Sequence, residues 1–130
     1  MKRFLSVVVL ALSIVALSGC ISVGGPKTYS HGIQFSAANN AYRVVDSTTF
    51  ETFSTVTKVL DSLGIEKFKK ETNTKEAHLY FTYQNLSYQI DLNYVSSSRT
   101  LVTIGAKSNG MFKDRKLAAD MLVRIIENQE

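Results

Sequence analysis

The stretch "AHLYFTYQNLSYQIDLNY", residues 77–94, alternates apolar and polar side chains on either side of Gln84-Asn85. A period of two marks a strand with one buried face. Ala77, Leu79, Phe81 and Tyr83 share one side of the first half, and Leu86, Tyr88, Ile90, Leu92 and Tyr94 share one side of the second. With Gln84-Asn85 as a two-residue hairpin loop, Tyr83 faces Leu86, Phe81 faces Tyr88 and Leu79 faces Ile90. Both apolar sets then fall on the same side, and a slip of one residue would turn one set into water. The stretch predicts a hairpin with Tyr83, Tyr88 and Tyr94 in the core. Its opposite face carries His78, Tyr80, Gln89, Asp91 and Asn93.

The flanking sequence supplies elements to pack on that core. "AYRVVD", residues 41–46, reads as a short strand. In "STTFETFSTVTKVLDSLG", residues 47–64, Phe50, Phe53, Val56, Leu60 and Leu63 recur every three or four residues, the spacing of one helix face. Thr48 and Glu51 form a capping box, in which hydroxyl and carboxylate each satisfy a backbone N–H of the first turn. Gly64 offers the left-handed residue that ends the helix. The threonines between are poor helix formers, so packing rather than propensity must hold this helix.

"IEKFKKET", residues 65–72, is a lysine-rich strand. Lys67, Lys69, Lys70 and, after the turn, Lys75 fit either contact with an anionic surface or an edge strand guarded against stray pairing; interleaving with Glu66, Glu71 and Glu76 favours the edge. After the turn "SSSR", residues 100–106 form another strand, with Val102 and Ile104 inward and Thr103 on the polar face. Asp114 caps "RKLAADMLVRIIENQ", whose Leu117, Ala118, Met121, Leu122 and Ile125 make a second amphipathic stripe.

The order strand, helix, four strands, helix predicts an α+β fold rather than a parallel α/β sheet. We expect a twisted antiparallel sheet of about four to five strands with both helices on its apolar face. The globular domain is expected over residues 41–130.

The N-terminus has a different character. Met1-Lys2-Arg3 precedes Phe4 to Leu17, 14 residues without a charge. As a helix this run would span about 21 Å, short of the roughly 20 residues that a bilayer core requires. A cationic start, a short apolar run and small residues at its end describe a secretory signal peptide. The run stops at Leu17-Ser18-Gly19-Cys20, which holds the single cysteine of the chain.

These four residues resemble the lipobox of bacterial lipoproteins. The resemblance implies cleavage between Gly19 and Cys20, a diacylglyceryl group on the Cys20 sulfur and acylation, commonly with palmitate, of the new N-terminus. Two or three acyl chains would anchor the protein stably, whereas one binds only reversibly. Acylation also explains a lone cysteine in an exported chain, otherwise a sign of a free thiol. Ile21 follows Cys20; by the same resemblance, the absence of Asp there implies the outer membrane rather than the inner one. Residues 20–40, with Gly24-Gly25-Pro26 and Gly32, read as a tether with a root-mean-square reach of roughly 25 Å, of which Ile33 and Phe35 could form a strand. The layout of residues 40–128 also resembles a family of small bacterial lipoproteins catalogued only as a domain of unknown function. That family has no assigned catalytic residues, so the resemblance implies none here.

Removing residues 1–19 takes Lys2 and Arg3 from the 15 cationic side chains and leaves all 11 acidic ones, so the formal charge falls from +4 to +2. So mild a balance is no footprint for nucleic acid. No G-x-S-x-G elbow accompanies the two histidines, His31 and His78, and with Cys20 acylated no set of zinc ligands remains. No cofactor or metal is expected. The reading is therefore a non-enzymatic, lipid-anchored envelope protein. Its partners would be the membrane, through Cys20, and an envelope protein or cell-wall component, through the face of His78, Tyr80, Gln89, Asp91 and Asn93. Two alternatives are a small hydrolase with a site near His78 and Asp91, and an inhibitor of a host enzyme. The second is the weaker, since such targets are cationic and favour an acidic binder.

Overall fold

A computed structural model describes residues 30–108 and 112–129. The expected signal peptide, Cys20 and residues 21–29 of the expected tether lie outside the described residues. A 3-10 turn at Ser30–Gly32 leads into β1 (Gln34–Phe35), β2 (Ala41–Val45), α1 (Thr49–Ser62), β3 (Lys69–Thr72), β4 (Glu76–Tyr83), β5 (Leu86–Ser96), β6 (Arg99–Ser108), β7 (Phe112–Lys113) and α2 (Arg115–Gln129). The strands form one antiparallel sheet in the order β1-β2-β6-β5-β4-β3, with β7 also paired to β6. This is an α+β fold. Its seven strands exceed the four to five expected because β1 and β7 have only two residues each, too few for alternation to register.

The hairpin of residues 77–94 has the expected pairing: Tyr83 opposite Leu86, Phe81 opposite Tyr88, Leu79 opposite Ile90. Gln84 and Asn85 both have positive φ, 53° and 66°, the mirror-image turn whose twist matches that of the strands. Leu79, Ile90, Leu92, Val102 and Ile104 have no exposed surface. They join the buried faces of both helices in one core, so both helices cover the same side of the sheet. Within it Phe81 and Tyr88 stack with centroids 5.2 Å apart and planes 4° from parallel.

Thr48 and Glu51 cap α1 reciprocally: the Glu51 N–H donates to Thr48 Oγ1 at 3.0 Å and the Thr48 N–H to Glu51 Oε1 at 3.1 Å. At the other end Gly64 has φ +79°. Its N–H donates to the Asp61 carbonyl and that of Ile65 to the Leu60 carbonyl, the paired bonds of a Schellman motif. Asp114 caps α2 by accepting from the Leu117 N–H at 3.0 Å.

Four expectations are corrected. Phe50 is 80 % exposed, while α1 buries Thr52, Val56, Val59 and Leu60. At about 100° per residue, Phe50 lies some 200° around the helix from Thr52, so it faces away from the core. Thr52 occupies the stripe instead because its hydroxyl bonds to the Thr48 carbonyl at 2.8 Å and to Ser47 Oγ at 2.6 Å. Tyr94 is 45 % exposed. Here β5 bulges between Tyr94 and Ser96, and the ring meets the Lys75 ammonium at 5.6 Å rather than the core.

The third correction concerns the start of the folded domain, which lies before residue 41. Ile33 is buried in the core, β1 pairs with β2, and Arg43 Nη1 donates to the His31 carbonyl at 2.6 Å. A turn closed by Ser36 and Asn40, with Asn39 at φ +65°, joins the two strands. The folded domain thus includes residues before 41. The lysine-rich strand starts at Lys69 rather than at residue 65, and it lies at the edge of the sheet with all four residues exposed.

Candidate functional site: the open face of the sheet

Side chains that alternate with the core residues of β4, β5 and β6 project from the side without helices. Register sets them in rows across the strands. One row runs Glu71, His78, Asp91, Thr103, Tyr42 and Gln34, from β3 to β1. The next sets Lys69, Tyr80, Gln89 and Gly105 side by side. His78, Tyr80, Gln89 and Asp91 are thereby neighbours, while Asn93 stands opposite Glu76, one row further on.

The first row is held by charge. His78 Nδ1 lies 2.7 Å from Asp91 Oδ1, and its Nε2 lies 3.0 Å from Glu76 Oε1. Carboxylates only accept, so the ring satisfies both when both nitrogens carry protons. The bonds to Asp91 and then to Glu76 raise the His78 pKa above its ordinary 6.5, against a smaller opposing effect of burial. Gln89 Nε2 donates to the same Asp91 carboxylate, at 3.0 and 3.2 Å. A general base needs a free ring nitrogen within reach of the proton it removes; here both nitrogens face carboxylates. Among the described residues no group of three His, Cys, Asp or Glu side chains is arranged to hold a metal ion.

The second row borders a concavity of about 510 Å³ lined by Tyr80, Thr82, Ser87, Gln89, Gly105, Lys107 and Lys113, with Phe81 and Tyr88 at its base. Among the described residues no acidic side chain lines it. Lys69 Nζ sits 5.6 Å from the centroid of the Tyr80 ring. Gly105 lies beneath a bridge in which Lys113 Nζ donates to Asn40 Oδ1 at 2.8 Å. A Cβ at position 105 would come within 2.7 Å of that oxygen, so the missing side chain gives the bridge its room.

The sequence reading found Tyr80 and Gln89 on this border but not Lys107, Lys113, Asn40 or Gly105. Lys107 was within reach, because the alternation of β6 continues to it. Lys113 and Asn40 were not, since their contact joins residues 73 positions apart. His31, placed in the tether by that reading, lies 3.5 Å from Glu127 near the end of α2, away from His78. No family model matches the chain, and no curated protein matches it.

Proposed function

We propose that this chain is a lipid-anchored protein of the bacterial cell envelope that binds another envelope protein or a cell-wall component through its open sheet face and catalyses no reaction. Residues 1–19 direct export, Cys20 carries the acyl chains, and Ile21 sends the protein to the outer membrane. The observation that carries the binding role is the uncovered polar face itself. It spans the sheet from β3 to β1, and its one histidine is tied to two carboxylates rather than aimed at a nucleophile. Arranged polar side chains on a rigid sheet, with neither helix over them, suit recognition better than bond breaking.

Two experiments test this reading. Labelled palmitate should enter the protein in its own cells and fail to enter Cys20→Ala; equal labelling of both forms would sink the anchor. Crosslinking in intact cells should trap a partner on the wild type and lose it when Tyr80 and Asp91 are both alanine. Unchanged recovery would remove this face from the interaction.

A further inference from the structure

β6 and β7 pair so that Lys107 stands directly opposite Lys113. Like charges at that position destabilise a sheet. Among the described residues neither lysine has a carboxylate partner. Asn40 holds the Lys113 ammonium beside Gly105, where a side chain would intrude. Sequences tend to break a local rule of this kind at functional sites. The repulsion disappears when an anion sits between the two ammonium groups.

We propose that the concavity beside Lys107 and Lys113 binds a phosphate ester carried on a hydroxylated, sugar-like scaffold. The two lysines take the phosphate. The Thr82 and Ser87 hydroxyls and the Gln89 amide, which Asp91 holds in place, offer donors and acceptors to ligand hydroxyls. The Tyr80 ring offers an apolar surface for the sugar face. A volume of about 510 Å³ falls in the ordinary range for small-molecule sites. This inference rests on the binding role proposed above and names its ligand class. Phosphate of this kind occurs both on soluble sugar phosphates and on lipid headgroups.

The test uses the full chain purified in detergent, with the backbone amide signals of Gly105, Lys107 and Lys113 followed by NMR at low salt. The probes are glucose 6-phosphate, inorganic phosphate, glucose, and vesicles with and without phosphatidylglycerol. Glucose 6-phosphate should move these signals, glucose should not, and added salt should weaken the effect. Movement by phosphatidylglycerol vesicles but not by glucose 6-phosphate would assign the phosphate to a headgroup. The double variant Lys107→Gln, Lys113→Gln should lower affinity roughly tenfold or more. Its melting temperature should stay level or rise by about 1–5 °C as the repulsion is relieved, which separates lost binding from lost folding.

Signals unmoved by every phosphate probe would overturn the inference, as would equal response to glucose or unchanged binding by the double variant. Partner crosslinking that persists through such a failure would leave the binding role standing; loss of that crosslinking would remove both.

Discussion

The Thr100 hydroxyl donates to the Ser47 carbonyl at 2.9 Å. That bond fastens the start of β6 to the loop between β2 and α1. Thr100 has no exposed surface, and Thr49 Oγ1 lies 3.3 Å from its hydroxyl. Gln129, at the end of α2, reaches the same loop through Ser47 Oγ at 2.8 Å. Hydroxyls and one amide thus join both helices, β6 and the loop after β2 at a point that the apolar pattern leaves unmarked.

Thr100→Val keeps the shape and removes the donor. It should cost about 1–2 kcal/mol in stability, read by urea denaturation, with the slope of the transition unchanged. A variant as stable as the wild type would show that the bond has no net value.

The His78 network makes a stability difference that depends on pH. The folded-state pKa lies above the unfolded value of 6.5, so the favourable contribution of protonated His78 is complete below about pH 6.5. It is lost as pH rises through the folded pKa. Asp91→Asn should therefore be less stable than wild type by about 0.5–1 kcal/mol in mildly acidic buffer. The gap should narrow as pH rises above that point. A gap that widened instead would reverse the sign assigned here.

Phe50 and Leu60 looked equivalent on the helix stripe, yet only Leu60 is buried. Phe50→Ser should change stability by less than about 0.5 kcal/mol, as exposed substitutions do. Leu60→Ala should cost about 2–5 kcal/mol through lost burial and the cavity left behind. Comparable losses for the two would place Phe50 in the core.

Two glycines are needed for different reasons. Gly64 has open space around its α-carbon but a φ of +79°, so Gly64→Ala should cost about 1 kcal/mol through backbone strain. Gly105 has no such strain, and its added methyl would meet the movable end of the Asn40 side chain. Gly105→Ala should change stability by less than about 0.5 kcal/mol while shifting the Lys113 NMR signals, since the Asn40 bridge must move. Thermal melts of both variants, with NMR of the second, separate strain from space.

Local interactions explain what could be read without coordinates. The strands at residues 77–94, their two-residue turn, the capping box of Thr48 and Glu51 and the end of α1 at Gly64 all depend on residues a few positions apart. They leave a periodic or positional trace in the chain. The α+β class followed from their order, and the face shared by His78, Tyr80, Gln89 and Asp91 followed from the register of a single hairpin.

Other features arise between distant residues. Pairing of β2 with β6 closes the sheet on that side and gives β1 a neighbour, so Ile33 leaves the expected tether for the core. Only the packed helix shows that Thr52, a polar residue, belongs to the buried stripe while Phe50 does not, because burial depends on angular position and on an available hydrogen-bond partner as well as on hydropathy. The concavity needs side chains from β4 to β7, and its two lysines meet because β7 folds back beside β6. The sequence by itself determined the two helices and the longer strands and, Phe50 and Tyr94 apart, which way their faces point. The tertiary structure alone decided which faces meet, because a contact such as that between Asn40 and Lys113 exists only once the chain between them has folded.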